Sequence, residues 1–122
     1  MKNDGGSIRN LQRDLDLAET ERHFQTRVVD LARSLGWRVV HFRPARTATG
    51  WVTAIQGDKG FPDTVLARQG TVWFWELKRE RGGRTDADQE AWGEALGSRY
   101  RSLRPSDWEW IVGALTVGGR DA

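Results

Sequence analysis

The stretch from Val72 to Lys78, Val-Trp-Phe-Trp-Glu-Leu-Lys, constrains this chain more than any other. Aromatic and β-branched residues fill it, which suits a strand, and strand side chains alternate between two faces. Val72, Phe74, Glu76 and Lys78 share one face, and Trp73, Trp75 and Leu77 take the other. Both faces begin apolar, which predicts a central strand covered on both sides. A buried strand that ends in a carboxylate and an ammonium is unusual. Burying either charge costs several kcal/mol, roughly, unless it is paired or bound to a metal.

The segment before it, Asp63-Thr64-Val65-Leu66-Ala67-Arg68, reads as a second strand, and Gln69-Gly70 supplies a turn, so the two form an antiparallel hairpin. Pro62 suits a strand start, where a missing N–H does least harm, and Gly60 frees the backbone before it. A turn at Gln69-Gly70 brings residues near Asp63 opposite residues near Glu76, with Lys78 beside them. Two carboxylates so placed repel, and a divalent cation relieves that repulsion. The bland alternative is a structural salt-bridge set in which one carboxylate pairs with Lys78.

At 122 residues the chain is one domain by length, large enough for a core without staples. It has no cysteine, which excludes disulfides and thiolate metal sites. No apolar run approaches the roughly 18–20 residues of a membrane span, and Met1–Gly6 lacks the apolar stretch of a leader, so a cytoplasmic location is expected. Net charge is +2, compatible with an ordinary soluble surface. Lys occurs only at 2, 59 and 78, and the rest of the 19 basic residues are Arg, the side chain that grips phosphate bidentately. Most of the seven Trp are expected in the core.

Taken in order, residues 1–17 read as a flexible tail with a short helical piece near 8–17, and residues 18–116 as the folded domain, followed by a tail over 117–122. A first helix is expected from an N-cap at Thr20 to Leu35, stopped by Gly36, with Phe24, Val28, Leu31, Ala32 and Leu35 as its buried stripe. Glu21 falls within that stripe; a helix-dipole contact is one reading and a site residue the other. A strand follows over Trp37–Arg43, ended by Pro44, in which Trp37, Val39 and His41 share a face. His41 is either a phosphate or water contact or a satisfied structural histidine. Residues 45–50 read as a loop, with Arg43 and Arg46 as phosphate contacts or solvated side chains, and 51–55 as a short strand or irregular crossing. Arg79, Arg81 and Arg84, around Gly82-Gly83, form a flexible loop suited to a phosphate backbone. Thr85 is the expected cap of a second helix, with Asp88 at the capping-box position and Gln89, Trp92 and Leu96 on one face up to Gly97. Residues 99–104 make a last edge strand, and Pro105 opens a helix that packs through Trp108, Ile111, Val112 and Leu115.

The ordered set Gly60-Phe61-Pro62-Asp63, Glu76-Leu77-Lys78 and Gln89 resembles the pattern of the PD-(D/E)xK nucleases. Glu21 to Gln25, Gly36 to Arg43, Trp92 and Arg104 to Trp108 make it similar, more specifically, to the virus-type replication-repair nuclease (VRR-NUC) domain, over residues 19 to 115 or so. The edge strand Arg99–Arg104 is less apolar than that family's. The resemblance implies an α/β fold with a restriction-endonuclease-like core, a mixed central sheet flanked by helices. It implies hydrolysis of DNA phosphodiester bonds, with selectivity for branched DNA such as junctions or flaps, in replication, repair or recombination. Asp63, Glu76, the Leu77 carbonyl and Glu21 would hold Mg2+ or Mn2+, Lys78 would position water and offset phosphate charge, and Gln89 would face the site. A homodimer and a phage or mobile-element origin are further implications. The rival from another class is a catalytically silent nucleic-acid-binding adaptor with a nuclease-like fold.

Overall fold

The structure is a computed structural model and describes residues 2–43, 45–48, 50–52 and 55–117. Pro44, residues 53–54 and the tail from 118 lie outside the described residues. A long first helix, α1 (Lys2–Ser34), leads into β1 (Arg38–His41) and a small two-stranded ribbon of β2 (Ala45–Thr47) and β3 (Gly50–Val52). The hairpin strands β4 (Thr64–Arg68) and β5 (Thr71–Leu77) follow. Then come α2 (Ala87–Leu96), β6 (Tyr100–Leu103) and α3 (Trp108–Val117).

The main sheet has the order β1-β4-β5-β6. Its first three strands are antiparallel and β6 runs parallel to β5, so the sheet is mixed and the fold α/β. The Gln69-Gly70 turn is a two-residue hairpin turn: both residues have positive φ, 50° and 84°, as a type I′ turn requires. Arg68 pairs with Thr71 and Thr64 with Trp75, so the next rung places Asp63 opposite Glu76, as the turn predicts.

β5 is central, but its faces are unequally covered. Trp73, Trp75 and Leu77 are buried with Leu66 and Leu103 against Phe24, Val28 and Ala32 of α1 and Ile111 and Leu115 of α3. Trp37 joins this core and donates from its indole nitrogen to the Leu115 carbonyl at 2.8 Å. Val72, Phe74 and Glu76, on the other face, are only half-buried. The expected burial on both sides is thus complete on one face and partial on the second, where short α2 is the cover.

Several boundaries differ from expectation. Residues 2–17, read as a tail, continue α1, so Thr20 lies inside one helix and does not begin it. The end of α1 is as predicted: Trp37 N–H reaches the Ala32 carbonyl at 3.0 Å and Gly36 N–H that of Arg33 at 3.1 Å, a Schellman stop with Gly36 at φ 87°. The loop expected over 45–50 is mostly β2 and its turn, which puts Arg46 in a strand opposite Trp51. α2 is capped by Asp86 and not Thr85, and Gln89 rather than Asp88 closes the capping box. Among the described residues, no helix is long and apolar enough to cross a membrane.

Candidate active site

The open end of the β4–β5 hairpin faces a cleft of about 1190 Å³, lined by Glu21, His41, Asp63, Glu76, Lys78 and Gln89 among others. Asp63 and Glu76 meet there as cross-strand neighbours. Asp63 N–H donates to Glu76 Oε1 at 3.2 Å, and Leu77 N–H donates to both Asp63 carboxylate oxygens at 3.2 Å. Each carboxylate is thereby held by the other's strand. Burial, then repulsion from Glu76, pushes the Asp63 carboxyl up to about 8. Burial also raises Glu76, partly opposed by the Lys78 charge.

Lys78 is 6 % exposed, and its ammonium does not clamp either carboxylate directly. Nζ donates to Gln89 Oε1 at 3.3 Å and to the Arg84 carbonyl at 3.4 Å. The Gln89 amide nitrogen donates in turn to Glu76 Oε2 at 3.4 Å. Gln89 therefore bridges the ammonium and the carboxylate, and its oxygen also accepts Asp86 N–H at 3.3 Å in the capping box. A structural salt-bridge set, the bland alternative, would have put Nζ against a carboxylate.

What brings Gln89 here is the close approach of α2 to Gly60. A Cβ on Gly60 would lie 2.7 Å from the Asp88 carbonyl carbon and 2.9 Å from Gln89 N, and its φ of 89° is itself a glycine conformation. Trp92 Nε1 donates to the Lys59 carbonyl at 3.0 Å, and Phe61 meets Trp92 edge-on at 4.9 Å. The Gly-Phe-Pro-Asp run is thus a dock for α2 as much as a lead into β4.

Glu21 lines the cleft from α1, and its charge adds slightly to the rise of both carboxylates. It does not close on the pair: among the described residues, no three Asp, Glu or His side chains converge as a metal-holding group. Two converged carboxylates still fit Mg2+ or Mn2+, since Mg2+ binds through one or two carboxylates and keeps several waters. The neighbouring negative charges, costly when buried together, are relieved by such an ion.

The arginines are brought together unevenly. Arg43 is exposed at the cleft, and Arg81 and Arg84 are exposed on the loop after β5. Arg79 turns back, donating from Nε to the Arg81 carbonyl at 2.7 Å. The Arg46 side chain is not among those described. The loop they share is built and not loose. Arg104 donates to the carbonyls of Arg79, Glu80 (3.3 Å), Gly82 (3.0 Å) and Gly83 (3.4 Å), and Ser106 N–H donates to Glu80 Oε1 at 2.8 Å.

Three contributors escape a reading of the sequence: Gly60 as a dock, Arg104 as the loop's anchor, and Thr64. Thr64, wholly buried, donates to Asp63 Oδ1 at 2.7 Å and lies 2.9 Å from His41 Nδ1. A hydroxyl directly after the site aspartate, in an otherwise apolar strand start, was the available signal. No protein-family model, curated protein or solved structure matches this chain.

Proposed function

We propose that this chain is a metal-dependent DNA endonuclease with a restriction-endonuclease-like core, of the PD-(D/E)xK type and similar to VRR-NUC domains. The observation that carries the reading is the Asp63–Glu76 rung at the cleft, tied through Gln89 to a buried Lys78. Asp63, Glu76 and the Leu77 carbonyl would hold Mg2+ or Mn2+, with Glu21 acting across the cleft through water. When bound, such an ion supplies an acidified water and stabilises charge on the reacting phosphate. Lys78, fixed in direction by Gln89 and the Arg84 carbonyl, offsets the phosphate charge and orients water beside it. Arg43, Arg81 and Arg84 give the exposed rim its phosphate contacts. Branched DNA is the substrate class and a homodimer the working form in this reading, with roles in replication, repair or recombination.

The test is cleavage of labelled duplex, single-stranded, flapped and four-way DNA in EDTA, Mg2+ or Mn2+, beside Lys78→Ala. Metal-dependent cutting that Lys78→Ala abolishes is the expected result. Binding without cutting in every metal would replace the enzyme with the silent adaptor, and one mass for a monomer by light scattering, with and without DNA, would remove the dimer.

A further inference from the structure

Phe42 is an aromatic ring left in the open beside the two carboxylates. Its N–H donates to the Asp63 carbonyl at 2.7 Å, which carries the β1–β4 pairing one rung past His41 and Thr64. Asp63 in turn stands opposite Glu76, so Phe42, Asp63 and Glu76 form one row across three strands. Residues directly opposite one another in a sheet project from the same face, about 5 Å apart. The ring is 43 % exposed, and among the described residues Phe42 and Ile55 are the two large exposed hydrophobics that line the cleft. The ring is also braced. Phe61 meets it edge-on at 6.1 Å, and Phe61 packs edge-on against Phe74 at 5.9 Å and Trp92 at 4.9 Å. A braced ring has little side-chain freedom left to lose when a ligand settles on it.

The same cleft carries cations: Lys78, Arg43 next in the chain, and Arg79 on the loop after β5. A ligand that matches both parts has a flat apolar body joined to an anion at about one strand spacing. A nucleotide has that form, with its base one sugar away from its phosphate. An apolar peptide side chain would match the ring and leave the cations unused. In an intact duplex the stack covers both faces of each base, so a protein ring reaches a base face only where a strand is unpaired or splayed. We infer that Phe42 is a stacking platform for an unpaired base, with a neighbouring phosphate of the same strand at the Asp63–Glu76 rung. The platform makes a strand that has left its duplex, in a flap, a junction or a single strand, the preferred ligand over plain duplex. This deepens the nuclease reading and rests on it for which phosphate is cut, while the stacking rests on the row and the exposed ring. Phe42 touches the substrate and selects it, and takes no part in the bond change.

The test removes the ring and the base in turn. Fluorescence anisotropy, with Ca2+ in place of Mg2+, measures binding of a labelled single strand, a flapped duplex and a plain duplex to the full chain. Phe42→Ala should weaken binding of the single strand and the flap by roughly 5- to 100-fold, the range of one base–aromatic stack, with plain duplex little changed. Phe42→Trp should hold the affinity, and Phe42→Leu, apolar without a π face, should behave like the alanine variant. An abasic nucleotide walked along the flap gives the second arm, in wild-type protein whose fold is untouched. One position should cost a similar factor in wild type and nothing further in Phe42→Ala. Abasic effects that add to Phe42→Ala at every position, or a Phe42→Leu as tight as wild type, overturn the inference. So does a change of mass by light scattering in Phe42→Ala with DNA binding intact, which would give the ring to a second copy of this chain. Wild-type protein that shows the coupled position but cuts no DNA in Mg2+ or Mn2+ removes the nuclease reading and leaves the platform standing. Wild-type protein that binds no single strand removes the platform.

Discussion

Replacing Asp63 with Asn tests the physics of the site without assuming any reaction. In the folded chain burial and Glu76 hold the Asp63 carboxyl near 8, against an ordinary value of 3.8. Between those values the folded state keeps a proton that the unfolded state has released, so stability falls as pH rises and levels off once both states are ionised. His41, lowered by burial and Arg43, titrates below its usual 6.5, so a window starting near pH 6.5 avoids it. From about pH 6.5 to pH 8, at ~1.4 kcal/mol per pH unit and with half-ionisation at the upper end, the loss is on the order of 1–2 kcal/mol. For a domain of this length that is a fall in Tm of roughly 5–10 °C. Glu76, raised in the same direction, adds to it. The assay is thermal unfolding in EDTA across this window. Wild type should show the fall, and Asp63→Asn, which keeps the shape and removes the charge, should show a clearly shallower one, left to Glu76, and be more stable at pH 8. Mg2+ at about 100 times its Kd should return about 2.7 kcal/mol to wild type and nothing to Asp63→Asn. A wild-type Tm that does not move between these pH values, or an Asp63→Asn that follows the same slope, would refute the buried-pair argument.

Two other outcomes follow from the surroundings of the pair. Gly60→Ala places a methyl against the first turn of α2 in a backbone conformation that alanine resists; it should cost about 2 kcal/mol or more by chemical denaturation and lower cleavage by displacing Gln89. Arg104→Met strips the loop carbonyls of their shared donor while keeping much of the side-chain length. It should expose the Arg79–Arg84 loop to limited proteolysis and weaken DNA binding by several-fold, with the core's unfolding midpoint shifted by only about 1–2 kcal/mol.

Much of the site was legible because its two carboxylates belong to one hairpin. A two-residue turn fixes every rung, so locating Gln69-Gly70 located Asp63 against Glu76. Local caps were less legible: Thr85 and Asp86 are both good N-caps one residue apart, and the choice is made by Gly60 receiving Asp88 and Gln89 from another part of the chain. The start of α1 was misread because residues 2–19 show no sustained apolar stripe and include Gly5-Gly6, both poor helix formers, yet the helix runs through them. Arg104 and the His41–Thr64 contact were invisible for a different reason. Arg104 bonds backbone carbonyls 21 to 25 residues earlier in the chain, and backbone acceptors leave no mark in a sequence. His41 meets Thr64 only through the β1–β4 register, a pairing across a long connection that no local pattern sets.

The hairpin that assembles the site also dictates the order in which it closes. Zipping from the turn at Gln69-Gly70 would close the rungs of Leu66 with Trp73 and Thr64 with Trp75 before the one rung that repels itself. The carboxylate end is therefore expected to be the last part of the ribbon to form, although β4 and β5 are the two inner strands of the sheet. In the metal-free chain, amide hydrogen exchange should grow faster from Leu66 toward Leu77, whose N–H is held by the Asp63 carboxylate. A cation at that rung would reverse the gradient, making ion binding the last event in closing the hairpin.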